Sequence, residues 1–223
     1  MTNTNYKKTI AVFDVDNTLI DSQAKLRADF IGAMQRLGVG LKPEEIGMPW
    51  YEVATKYGFS KEIFDESFNK RKTWEQSLGD GEAPLFSDTL PCLEELALNG
   101  VRMAVLSKSI AKYTDIKLKH FGLDKYFEQV VNVHPKVNTK KYGALYLISE
   151  LNPTEAGPIA FIGDKPEDVL VAKDAEREYQ KVCNGFYVNR MKNSLPKELV
   201  GAGCLNLNSL RELPAFLVPK DIS

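Results

Sequence analysis

Short apolar runs recur along this chain, most of them followed by a stretch with helical spacing, and that alternation constrains the fold more than any other feature. The runs are Thr9–Phe13, Val101–Leu106, Gln129–Val133, Pro158–Ile162 and Gly185–Val188. Between most of them lie helical patterns: Leu90–Leu98, Ile110–Phe121, Lys140–Leu151 and Glu167–Glu178. A strand that is apolar along its whole length is buried on both faces. Strands of that kind separated by helices give a parallel sheet with right-handed crossovers. The expectation is an α/β fold, a doubly wound, Rossmann-like core.

One interval breaks the rhythm. More than eighty residues separate the first run from the second, too many for a single crossover. Leu26, Phe30, Ala33, Met34 and Leu37 recur at helical spacing, and Gly38 supplies a stop. Trp50, Val53, Ala54 and Tyr57 repeat the pattern after Pro49. Ile63, Phe64, Ser67, Phe68, Arg71 and Trp74 predict a third helix capped by Ser60. Gly79–Asp88 carries a turn-rich return. We therefore expect a helical cap over residues 21–86, inserted into a core of residues 1–20 and 87–223. Trp50, Trp74, Phe64 and Phe68 could line a substrate pocket under the cap, but most of them are expected to pack the cap helices together.

Composition narrows the partners. A formal net charge of −1 offers no basic surplus for a nucleic-acid backbone. No run approaches the ~18 apolar residues of a membrane span. Cys92, Cys183 and Cys204 lie far apart without a C-x-x-C pair, the pattern of free thiols in a reducing compartment. Met1–Lys8 is polar and lacks the apolar core of a signal peptide, so the expected location is the cytoplasm.

Open parallel sheets bind ligands beyond the carboxyl ends of their strands. Asp14-Val15-Asp16-Asn17-Thr18 follows the first run, and Gly163-Asp164-Lys165-Pro166-Glu167-Asp168 follows the fourth. Ser107-Lys108-Ser109 follows the second, and a loop with Lys136, Lys140 and Lys141 follows the third. Asp14, Asp16, Asp164 and Asp168 gathered on one edge would repel one another without a cation. A hard, oxygen-liganded ion such as Mg²⁺ answers that need, and the shortage of His and Cys disfavours zinc. An anionic phosphate can then approach. Asp14 can attack phosphorus to form an aspartyl phosphate. Asp16 can protonate the leaving oxygen and later deprotonate the attacking water. Ser107 and a lysine would hold the non-transferred oxygens.

These residues resemble the motifs of the haloacid dehalogenase superfamily, specifically its phosphoglycolate-phosphatase-like members with a helical C1-type cap. Its D-x-D-x-T motif is matched by Asp14, Asp16 and Thr18, and its strand-ending Ser or Thr by Ser107. The G-D-x-x-x-D motif is matched by Gly163, Asp164 and Asp168, and HFGLDKYFEQVV (His120–Val131) resembles the segment between the second and third motifs. The similarity spans Thr9 to Ala175, with a weaker strand and helix around Cys204–Leu217. It implies Asp14 as nucleophile and Asp16 as general acid/base. It also implies Mg²⁺ held by the Asp14 side chain, the Asp16 backbone carbonyl and Asp164, with Asp168 as a further ligand or supporting acid. Thr18, Ser107 and Lys108 would lie on the phosphate. The usual Lys-Pro pair of the third motif is absent; Lys141 is preferred for its lysine, then Lys140, then Lys136. Lys108 stands where many relatives carry Asn, and AEREYQKVCNG (Ala175–Gly185) replaces the usual small-residue-rich helix end.

The function expected is Mg²⁺-dependent hydrolysis of a small phosphorylated molecule, with neither nucleic acid nor membrane as partner. Asp16 favours phosphoryl chemistry over carbon–halogen cleavage, because dehalogenases of the superfamily lack that second acid. Two alternatives use the same residues. A phosphosugar mutase would return the phosphoryl group to another hydroxyl, and a regulatory protein would bind phosphate without turnover.

Overall fold

The computed structural model describes residues 9–133, 140–151, 157–190 and 194–218. These form two compact units: Met1–Ile20 with Leu85–Ser223, and Asp21–Pro84.

The first unit opens with β1 (Ile10–Phe13), whose four residues are all buried. After it the chain enters the second unit through α1 (Ser22–Arg36), α2 (Trp50–Lys56), α3 (Lys61–Asn69) and α4 (Trp74–Gly79). It returns to the first as α5 (Thr89–Leu98), β2 (Arg102–Ser107), α6 (Ala111–His120), β3 (Gln129–Asn132) and α7 (Lys140–Glu150). β4 (Ile159–Gly163), α8 (Pro166–Tyr179), β5 (Cys183–Val188), β6 (Leu205–Leu207) and α9 (Pro214–Leu217) complete it. The sheet is parallel, in the order β3-β2-β1-β4-β5-β6. β1 is therefore central, and the strand order reverses between β1 and β4, where such sheets open a ligand crevice. The doubly wound α/β core expected from the apolar runs is the fold observed.

Under α7 and α8 the core unites Ile10, Val12, Leu106, Leu147, Ile148, Phe161 and Val171, all buried. Gly143 lets α7 approach the sheet: a Cβ there would stand 2.3 Å from the Val133 side chain and 2.8 Å from Leu106. No helix among the described residues is long and apolar enough to cross a membrane.

The helical unit has its own core of Phe30, Ala33, Met34, Val53, Ala54 and Phe64. Phe30 stacks on Trp50 with ring centroids 5.4 Å apart, and Phe64 on Phe68 at 5.7 Å. Phe30, Trp50, Phe64 and Phe68 thus pack the unit's helices, Trp50 also flanking a cavity, and Arg71 lies over the Phe68 ring. One helix differs from expectation. The third predicted helix is two, because Thr73 and Gln76 form a capping box that starts α4 at Trp74 after α3 has ended at Asn69. The helical unit runs to Pro84. Leu85 bridges Ile20, and the Phe86 amide donates to the Leu19 carbonyl at 3.2 Å, so both belong to the first unit.

Candidate active site

Parallel register brings the strand ends together. Phe13 aligns with Val105 on one side and Ile162 on the other, so Asp14, Ser107 and Asp164 all emerge at one edge. The Asp14 amide donates to the Ile162 carbonyl at 2.8 Å, fixing the first residue beyond β1. A tight loop follows, in which the amides of Leu19 and Ile20 donate back to the Val15 carbonyl and Asn17 takes a left-handed φ of 61°.

Asp14, Asp164 and Asp168 place carboxylate oxygens within 4.8 Å of one another. Asp168 is set by the start of α8, where its Oδ2 accepts from the Lys165 amide at 2.9 Å in a capping box. Gly163 makes room for it: a Cβ there would sit 2.5 Å from that same oxygen. Lys140, at the start of α7, reaches the cluster. Its ammonium donates to Asp14 Oδ1 and to the Leu106 carbonyl, both at 2.6 Å, and pairs with Asp168 Oδ1 at 2.9 Å.

With all three carboxylates ionised, one ammonium among them would leave two negative charges uncompensated. The electrostatics reflect this. Burial, then the charge of Asp168, pushes the Asp14 carboxyl from 3.8 up to about 7, against the pull of Lys140. Asp164 is pushed up to about 6 for the same two reasons. Burial opposes the Lys140 ammonium, but Asp14 and Asp168 outweigh it and hold its pKa above the ordinary lysine value. Asp164 Oδ1 is buried without a hydrogen-bond partner among the described residues. An all-oxygen donor set, a doubly negative surplus and an orphaned carboxylate oxygen together fit a hard divalent cation.

The other expected site residues divide. Ser107, 1% exposed, ends β2 with its Oγ accepting from the Ser109 amide at 3.1 Å. Asp16 stands apart from the three clustered acids: its two oxygens accept from Ser109 Oγ and from the Lys117 ammonium. Thr18 is fully enclosed, with no partner for its hydroxyl among the described residues, while its carbonyl accepts from Arg190. Lys108 pairs with Glu167. Lys141, the preferred lysine, points elsewhere and pairs with Asp174 at 3.1 Å; the residue in the cluster is Lys140. Helical spacing is the reason. Lys140 shares the buried face of α7 with Gly143, Ala144 and Leu147, and one residue further on the helix has turned toward α8. Lys136 and His134 lie outside the described residues.

Lys117 and Arg190 went unassigned in the sequence. Arg190 bonds both oxygens of Asp88, at 2.6 and 2.8 Å, and lies 4.0 Å over the Phe86 ring, which fixes the carbonyl it donates to in the loop after β1. The only signal for Lys117 was a cation in the inward stripe of α6, beside Thr114 and Leu118.

The family profile of the haloacid dehalogenase-like hydrolases matches residues 11–182. The chain belongs to that family. It is 25% identical to the pyrophosphatase PpaX of Bacillus velezensis over 77% of this chain and 82% of that one. To the phosphoglycolate phosphatase of Haemophilus influenzae it is 24% identical, over 84% and 90%. Its fold matches a phosphatase of this family from Thermococcus onnurineus at a TM-score of 0.63 and 22% identity, covering 94% of this chain and 97% of that one. A haloacid dehalogenase-like hydrolase from Streptococcus pneumoniae superposes with a TM-score of 0.66 at 20% identity, over 94% and 98%.

Proposed function

We propose that this phosphohydrolase cleaves small-molecule phosphomonoesters through a phosphorylated Asp14, with Mg²⁺ bound by Asp14, Asp164 and Asp168. The observation that carries the reading is the cluster itself: Asp14 at a strand end, two further carboxylates and one buried ammonium. Its relatives named as phosphatases support the reaction class.

When bound, Mg²⁺ would offset the negative charge of phosphate and acids and polarise a phosphoryl oxygen. The chain's own groups do the rest. A carboxylate oxygen of Asp14 bonds to phosphorus as the bond to the leaving oxygen breaks, and that oxygen takes a proton from Asp16. In the second step a water oxygen bonds to phosphorus and the bond to Asp14 breaks, returning the electron pair to Asp14. The water proton passes to Asp16. Lys140 and Ser107 hold developing charge on the non-transferred oxygens. The helical unit, acting as a cap, would select the leaving group. It carries an open cavity of about 520 Å³ flanked by Gln23, Arg27, Met48 and Trp50.

The test is phosphate release from a panel of phosphomonoesters with Mg²⁺ or EDTA. Release is expected only with the metal, and Asp16→Ala should slow it roughly 10²- to 10⁴-fold. Metal-independent release, or an unaffected Asp16→Ala variant, would refute the mechanism. Transfer of phosphate to a second sugar hydroxyl would instead mark a mutase.

Metal binding should also show in stability. The raised carboxyls bind more protons folded than unfolded, so stability of the metal-free protein falls as pH rises from the ordinary 3.8 through about 7. Mg²⁺ must displace those protons. Its stabilising shift in Tm should therefore be small at about pH 5 and larger at about pH 8. Equal shifts in thermal melts at the two values would contradict Asp14 and Asp164 as ligands.

A further inference from the structure

We propose that Lys117 is a positioning residue for phosphoryl transfer, holding the Asp16 carboxylate jointly with Ser109 for both of its proton transfers; this rests on the role given to Asp16 above. The Lys117 side chain is among the largest fully buried ones, at 0% exposure. Lysine is almost never enclosed in this way without a partner. It sits in the second turn of α6 on the inward stripe with Thr114 and Leu118, where an apolar residue of similar length would fill the same space. A buried ion pair is weak evidence of added stability, since well-packed apolar replacements are often neutral or better. What the lysine adds is a charge directed at one acid on a distant part of the chain.

The surroundings have the build of a clamp. Lys117 takes Asp16 Oδ1, the Ser109 hydroxyl takes Oδ2, and the ammonium lies 3.4 Å from that hydroxyl. Ser109 is itself fixed. Its amide donates to Ser107 Oγ, and its carbonyl accepts from Asn132 Nδ2 at 2.9 Å. Asn132 also donates to Thr114 Oγ1 at 2.7 Å, one turn from Lys117 on α6. The acid is thus tied to the same strand end that presents Ser107. Its side chain keeps 24% exposure, against 1% for Lys117, so it is held from behind and open to a reactant in front.

The two half-reactions separate this role from a structural one. With 4-nitrophenyl phosphate the leaving phenolate needs little protonation, so phosphorylation of Asp14 proceeds without a well-placed acid. Hydrolysis of the phospho-aspartate still needs Asp16 to take the water proton. Lys117→Met should therefore release a rapid burst of one equivalent of nitrophenolate and then turn over roughly 10- to 100-fold more slowly than wild type. Acid-quenched mass spectrometry should find phosphorylated protein accumulating, as in Asp16→Ala. Ser109→Ala should show the same pattern more weakly, and it serves if Lys117→Met does not fold. Proportionate loss of both steps per folded molecule, or wild-type kinetics in both variants, would overturn the proposal while the phosphatase reading stands. Absence of Mg²⁺-dependent release by the wild type, or of any effect of Asp16→Ala, would count against that reading instead.

Discussion

Asp14→Asn should fold as the wild type does and release phosphate on the order of 10⁴-fold more slowly, if at all. The amide keeps the shape of the carboxylate but lacks the nucleophilic oxygen, so no covalent phosphoprotein should form. Stability separates this loss from misfolding. At about pH 8 without metal, ionised Asp14 is held against its own preference, its carboxyl having been pushed up to about 7. Neutralising it removes that cost, so the Tm of the variant in EDTA should not fall below that of wild type, and its gain from Mg²⁺ should shrink. Measurable turnover in pure Asp14→Asn protein would dispose of the nucleophile assignment whatever the melting data show.

The second large effect separates two adjacent lysines. Lys140→Met should lower turnover roughly 10²- to 10³-fold, the scale expected when one preorganised donor to developing charge is removed. It should also leave Asp14 and Asp168 without the cation that pairs with both. Lys141→Met should retain nearly full activity. Its pair with Asp174 is 43% exposed on the lysine side and contributes at most about 1 kcal/mol once solvent screening is counted. Assays at saturating Mg²⁺, with melts of both variants, distinguish chemistry from folding. Activity surviving in Lys140→Met and vanishing in Lys141→Met would return the assignment to the second lysine.

That lysine pair also shows where the sequence was legible and where it was not. Periods two and 3.6 report burial, so runs such as Ile10–Phe13 and Ile159–Gly163, apolar along their whole length, disclosed the parallel core directly. Strand ends could be read as well, because the acids of Asp14 and Asp164 break those runs abruptly. The phase of a helix entered from a loop is harder. Lys140 and Lys141 both lie about one turn before Ala144, and only the wider stripe through Gly143 and Leu147 selects the first. Lys117 and Arg190 were out of reach for another reason. Each acts on the loop after β1 from far along the chain, on α6 and beyond β5, and no local pattern records a partner so distant. The Thr73–Gln76 capping box was visible in the letters, but the apolar stripe running through Trp74 concealed it.

Ile20 and Leu85 form an antiparallel bridge, and immediately beyond them the Asp21 amide donates to the Pro84 carbonyl at 2.9 Å. The polypeptide thus leaves and re-enters through a doorway one strand pair wide. The Asp21–Pro84 unit thus begins and ends side by side, so its length sets no distance between the two ends it joins. Helices there can be lengthened or exchanged without altering the pairing of Ile20 with Leu85.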